Sequence, residues 1–277
     1  GELELEKGLV SEERGGYGLG WAEVAPLLRS IGAAALPVPI GEQMIANALL
    51  ERAGIPVPQG LVCLSLRPKA AVRLRDGKVS GDVPGVLWGT VAEHLLVECS
   101  GSEGAHLALV PTAPLKSVPE SSLSREPQVT LSAADVTAAG TAAVEEGELR
   151  LLGALLRVLQ ICGALNRVLE MTVDYANLRE QFGRPIGKFQ AVQQLLAVLA
   201  NEVAAADAVS EMAVRCMDRG PAFLPVAVAK ARVSLAADRA ASIAHEDQAA
   251  IGVTEELGLP HPTRRLWQWR GDFGGEQ

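Results

Sequence analysis

Tyr175-Ala-Asn-Leu-Arg179-Glu-Gln-Phe182-Gly183-Arg-Pro-Ile-Gly-Lys-Phe-Gln190 is the stretch around which the chain organises itself. It lies between two apolar-periodic segments. Upstream, Leu149, Leu152, Leu156, Leu159 and Gly163 recur at three- and four-residue steps toward Tyr175. Downstream, Val192, Leu195, Leu196, Leu199 and Val203 do the same. The spacing predicts two long helices joined by a turn that Gly183 and Pro185-Ile186-Gly187 shape. Arg179 ends the first helix, where a cation is favourable against the dipole, and Gln190 opens the second. Composition alone makes this a helix connector; its position also lets its charged and glycine residues face a ligand.

Outward from this turn the chain has three textures. Gly220-Pro221 ends the second helix, and Leu224 to Ala244 makes another. Alanine-rich helices without heptad charge patterning predict close packing in a bundle. Residues 61–135 carry strand-type runs at Gly60–Leu66, Ala71–Arg75, Glu93–Cys99 and Ala105–Val110, with Asp76-Gly77 as a tight turn. Residues 1–60 read as short helices, Trp21 to Ile31 and Gly41 to Ala53, the latter with Met44, Ile45, Ala48 and Leu49 on one stripe. The expected fold is α+β, mainly α. It comprises a truncated N-terminal helical domain (1–60), a small antiparallel β domain (61–140) and a C-terminal four-helix bundle (141–277).

The 277 residues are 48% hydrophobic and 21% charged, which excludes a disordered chain. A net charge of −8 and 4% aromatics argue against nucleic acid as a partner. Cys63, Cys99, Cys162 and Cys216 show no CxxC spacing, and His94, His106, His245 and His261 do not complement them, so no metal site is expected. Gly1 to Lys7 is acidic and lacks the features of a signal peptide. Arg157 and Arg167 interrupt the apolar run Leu149–Leu169, so no membrane span is expected there. A cytoplasmic location is the resulting expectation.

The stretch Tyr175–Gln190 closely resembles the acyl-CoA dehydrogenase pattern Y..R.QFG.PI..FQ. Ala250 to Glu256, followed by Arg264-Arg265-Leu-Trp267, resembles that family's GG.G(F/Y)..E segment and its arginine-bearing tail. The order of helical, β and helical textures also matches. The resemblance implies FAD as cofactor and an acyl-CoA as substrate. It places Arg179, Phe182 and Gln190 on the FAD, mainly that of a neighbouring subunit. A guanidinium suits that role because it forks onto a pyrophosphate. Glu246 stands where the family commonly has a FAD-contacting glutamine, and Ala249-Ala250 where it usually has two glycines.

Two departures bear on the chemistry. The family removes the acyl-CoA α-proton with a glutamate at one of two positions, and these correspond to Phe273 and Gly153, neither of which can take a proton. Asp272 is the neighbouring carboxylate, one residue off and one methylene shorter, and is expected to be solvated. The segment that holds the flavin ring in the family reads Ser65-Leu66-Arg67-Pro68 here, and a strand position that is often aromatic reads Val83-Pro84-Gly85, where proline removes a ladder donor. Trp267 and Trp269, with Arg264, Arg265 and Arg270, suit a partner surface or ordinary packing.

The resemblance is to the shorter, degenerate subunit of actinobacterial heterotetrameric dehydrogenases of the steroid side-chain type. It implies an α2β2 assembly with a longer catalytic partner that supplies the glutamate, and two FAD per four chains. The open alternatives are a self-sufficient homomeric dehydrogenase using Asp272 as base, and a flavin-free scaffold or acyl-CoA-binding pseudoenzyme.

Overall fold

The computed structural model describes residues 4–67, 71–252, 254, 256 and 258–274, with backbone only at 249–251. The sequence's division follows element type; by compactness the chain forms two units. Unit 1 comprises Gly1–Val24, Pro37–Leu156 and Asp272–Gly274, and unit 2 comprises Ala25–Leu36, Arg157–Gly271 and Gly275–Gln277. Helix α1 (Trp21–Ala33) contributes its first turn to unit 1 and its remainder to unit 2.

In unit 1, α2 (Ile40–Arg52) is buried over Gly41–Leu50 on every side, not on one stripe as the sequence suggested. Its polar residues are tolerated because they serve backbone groups. Gln43 Nε2 donates to Asn47 Oδ1 (2.9 Å), Asn47 Nδ2 to the Glu6 carbonyl (3.0 Å), and the Val62 N–H to Gln43 Oε1 (2.6 Å). That last bond docks β1 (Val62–Leu64) under the helix.

The sheet continues through β2 (Arg73–Arg75), β3 (Lys78–Leu87), β4 (His94–Gly101), β5 (Gly104–Pro111), β6 (Lys116–Glu120), β7 (Gln128–Thr137) and β8 (Gly140–Ala143), in the order β6-β7-β3-β2-β4-β5-β8. Most pairings are antiparallel, but β1 and β2 both lie parallel to β4, so the sheet is mixed where a purely antiparallel one was expected. The cause is chain routing: after β1 the chain forms the β2–β3 hairpin and returns to β4 by a crossover, which leaves those strands parallel. Asp76 (φ 50°) and Gly77 (φ 72°) make the tight hairpin turn that the Asp-Gly pair predicts. Pro84 is absorbed by a bulge, a register shift between Val83 and Val86. The sheet core is Val79, Val83, Val86, Leu95, Val97, Val110, Val129 and Leu131.

Helix α3 (Glu148–Leu178) begins in unit 1 and runs through unit 2. By length and hydropathy it passes the test for a membrane-crossing helix, despite Arg157 and Arg167. However, 89% of its most apolar window is buried within the protein, as in a core helix. In unit 2 it is joined by α4 (Gln190–Met217), α5 (Phe223–Gly252) and α6 (Pro260–Trp269), the four C-terminal helices of the expected α+β, mainly α fold. Ala229, Ala236, Ala237, Ala240 and Ala244 are fully buried on α5, so small side chains let helices approach closely. Glu202 on α4 bridges to Arg232 (2.6 Å) and Arg239 on α5. Trp269 is 2% exposed and Arg265 is buried, so of the tail's two readings this pair takes the packing one.

Candidate functional site

In unit 2, α3 stops at Leu178 and the chain folds into a two-stranded hairpin, β9 (Glu180–Gln181) against β10 (Arg184–Pro185), before α4 begins at Gln190. Arg179 is the hinge of this connector. Its N–H donates to the Tyr175 carbonyl (2.8 Å), continuing the helix, and its carbonyl accepts from Ile186 (2.8 Å), closing the hairpin base. The two-residue tip is Phe182-Gly183, both with positive φ (52° and 76°). This is the geometry that normally selects Asn-Gly, and a bulky aromatic in it is an outlier.

Phe182 is nevertheless 92% exposed, meeting edge-on the ring of Phe189 (6.1 Å), itself covered by the Arg184 guanidinium at 4.3 Å. Arg179 and Gln190 are also exposed. The structure thus carries the guanidinium, the aromatic ring and the amide on one solvent-facing connector. A planar cation, an apolar face and a neutral donor are the chemistry that an ADP-type group accepts.

On α5, His245, Asp247 and Gln248 are more enclosed than the connector residues. His245 stacks on Trp267 (5.5 Å) and its Nε2 meets the Thr263 hydroxyl at 3.0 Å. Burial lowers the His245 pKa. Both Asp247 oxygens are buried without a hydrogen-bond partner among the described residues, and burial pushes its pKa up to about 6. Glu246 is exposed. The side chains of Ala249 and Ala250, together with Val253 and Glu255, lie outside the described residues, as does Pro68 in the flavin-ring segment.

In unit 1, the segment that would hold a flavin ring closes on itself. Ser65 Oγ donates to the Pro84 carbonyl (2.8 Å) and accepts from the Arg67 N–H (3.2 Å). Leu66 N–H donates to the Gly85 carbonyl (3.0 Å), and Gly85 N–H to Glu120 (3.0 Å). Arg67 pairs with Glu120 at 3.3 Å. Burial alone would raise the Glu120 pKa, but Thr130, Gly85 and Arg67 together bring it below the usual carboxylate range. These groups are committed within the chain, so this segment does not fit a flavin ring.

The two positions that correspond to the base meet in space. A Cβ on Gly153 would lie 2.4 Å from Cδ1 and Cε1 of Phe273, so the ring occupies the volume that any side chain at 153 would need. Phe273 is 1% exposed, sits at φ 55°, and is tied by its N–H to the Leu66 carbonyl (2.8 Å). Asp272 is 3% exposed, not the solvated carboxylate that sequence reasoning suggested, because this anchor draws the 272–274 segment inward. The sequence signal for the contact was a glycine inside a Leu- and Ala-rich helix, a common mark of close approach.

The helical bundle, the mixed sheet and the exposed hairpin between α3 and α4 make up a fold of the acyl-CoA dehydrogenase type. Residues 151–268 match the model of the acyl-CoA dehydrogenase C-terminal domain, so the resemblance carried by Tyr175–Gln190 is borne out. Acyl-CoA dehydrogenase IpdE2 of Mycobacterium tuberculosis is 32% identical over 206 residues, covering 73% of this chain and 58% of that protein. Acyl-CoA dehydrogenase FadE27 of the same organism is 31% identical, covering 70% and 60%. The chain thus spans less than two thirds of these relatives. Among solved structures, the ChsE4-ChsE5 complex from M. tuberculosis shares the fold at a TM-score of 0.90 and 24% identity, covering 98% of this chain and 82% of that one. The Tcur3481-Tcur3483 steroid ACAD G363A variant gives 0.84 and 25%, with the same coverages.

Proposed function

We propose that this chain is the non-catalytic subunit of a heteromeric FAD-dependent acyl-CoA dehydrogenase. Arg179, Phe182 and Gln190 hold the ADP half of FAD, and a longer partner supplies the ring pocket, the acyl-CoA pocket and the catalytic glutamate. FAD, when bound, is the hydride acceptor of the reaction; this chain's part is to bind and orient its nucleotide end. The observation that carries the reading is the Phe273 ring seated on Gly153. With an aromatic at one base position and a blocked glycine at the other, neither position offers a proton acceptor, which supports one supplied by another polypeptide. The committed polar groups of Ser65–Arg67 and Gly85 support the same division. The Tcur3481-Tcur3483 steroid ACAD and the ChsE4-ChsE5 complex among its structural relatives support a heteromeric assembly, for which we propose α2β2 with a steroid side-chain CoA as substrate.

The competing reading, a self-sufficient dehydrogenase with Asp272 as base, draws on the burial of that carboxylate. Flavin content and turnover of the chain alone, and of the chain copurified with its partner, separate the two. The division of labour predicts no turnover alone, and two FAD per four chains in the assembly. Turnover by the isolated chain that Asp272→Asn abolishes would establish the competing reading instead. An assembly without flavin absorbance would leave the scaffold alternative standing.

A further inference from the structure

The β2–β3 and β4–β5 hairpins of unit 1 enclose a groove of about 840 Å³. That is within the range of small-molecule sites. Its most distinctive feature is charge. Arg73 and Arg75 are two residues apart on β2, hence on one face and about 7 Å from each other. Lys78 stands directly opposite Arg75 on β3. Like charges facing one another across strands are destabilising. None of the three cations takes part in a hydrogen bond or ion pair among the described residues. A chain of net charge −8 gathers three cations here against two acids.

Polar groups fill in around it. Arg73 is flanked by Ser80 on β3 and Ser100 on β4. The His106 ring rests on Gly101, where a Cβ would meet Nδ1 at 2.6 Å, and Nδ1 contacts the Gly104 carbonyl at 3.2 Å. That contact leaves Nε2 for a ligand. The acids present are Asp76, in the hairpin turn, and Asp135, which accepts from the Ser80 hydroxyl at 2.6 Å.

We propose that this groove binds a small molecule carrying two phosphate groups, each guanidinium forking onto one of them, with the Ser100 hydroxyl beside Arg73 and the Lys78 ammonium beside Arg75. A small ligand is favoured over a nucleic acid because the chain's negative charge repels an extended polyanion. The proposal is independent of the flavin reading, since no residue of the α3–α4 connector takes part.

Titration calorimetry of the full chain at physiological salt, with fructose 1,6-bisphosphate as probe and fructose as comparator, tests it. The sugar bisphosphate is expected to bind and fructose not to. Each exposed cation's contact with a phosphate is worth roughly tenfold in affinity, so Arg73→Gln with Arg75→Gln should weaken binding by about 100-fold. All three cations are exposed, and Lys78→Gln alone, expected to cost about tenfold, serves if the double variant loses its circular dichroism. Failure of the bisphosphate to bind, or undiminished binding in the neutralised variants, overturns the proposal.

Discussion

Phe182 is costly as a single residue. It holds a left-handed backbone conformation that disfavours bulky side chains, and it leaves a phenyl ring 92% exposed at a hairpin tip. Conformations of this kind persist where something outside the local fold uses them. Replacing it with asparagine, the residue that type I′ turns select, should stabilise the chain by about 1 kcal/mol. The same change should reduce the flavin retained by the assembly with its partner. Thermal denaturation and flavin absorbance measure the two effects, and a variant that gains stability while keeping all its flavin would remove Phe182 from the proposed site. Gly153 poses the reverse case. Alanine is the better helix former by about 1 kcal/mol, yet here its methyl group would enter the Phe273 ring. Gly153→Ala should therefore destabilise, by about 1–3 kcal/mol from overpacking. Adding Phe273→Leu should recover part of that loss, and a double-mutant cycle with additive effects would show that the contact is not what matters.

At the scale of elements, α1 and α3 touch in unit 2 through glycines. A Cβ on Gly163 would lie 1.9 Å from the Arg29 carbonyl oxygen, and one on Gly32 would lie 2.1 Å from that of Gln160. The obstacles are backbone atoms, which cannot swing aside as a side chain can. Gly163→Ala is thus expected to cost about 3 kcal/mol or more, read as a fall in the urea midpoint; a neutral result would mean the helices can separate at little expense. The helices were the legible part of this chain, because a 3.6-residue apolar period survives whatever packs on it. Trp21–Ala33, Ile40–Arg52 and Glu148–Leu178 differ from their sequence-read bounds by only a few residues. Lys78–Leu87, Lys116–Glu120 and Gln128–Thr137 were not legible as strands: proline, glycine or exposed polar residues interrupt their alternation, and cross-strand partners decide them. The connector was legible as a turn bearing Arg179 and Gln190, but not as a hairpin with phenylalanine at its tip, since propensity argues against that residue. Gly153 marked a close approach in the sequence, but its partner Phe273 lies far along the chain, and no local rule could name it.

Over the whole molecule, titration should expose opposing groups. Burial alone would raise the Glu202 pKa, but its ion pairs with Arg232 and Arg239 bring it below the ordinary range. Its folded pKa is depressed, so its stabilisation is present above the unfolded carboxylate pKa and is lost as pH falls through the folded value. Asp247 has the opposite sign. Burial raises it from 3.8 to about 6, with neither oxygen hydrogen-bonded among the described residues. The folded state therefore binds that proton more tightly than the unfolded chain does. Below about pH 4 both states are protonated and the residue contributes nothing differential; between about pH 4 and 6 stability falls because the unfolded chain ionises this carboxyl while the folded protein keeps it protonated, and above that, once the buried charge has formed, the penalty is constant. Asp247→Asn keeps the shape and removes the charge, so its stability relative to the parent should be close to zero at about pH 4, grow up to about pH 6 and then level off. His245, whose lowered pKa opposes folding as pH drops, is common to both proteins and cancels in the difference. Parallel thermal melts from acid to neutral pH measure this curve. A gain of equal size at every pH would mean that the amide packs better than the acid, and that Asp247 is not held as an uncompensated carboxylate.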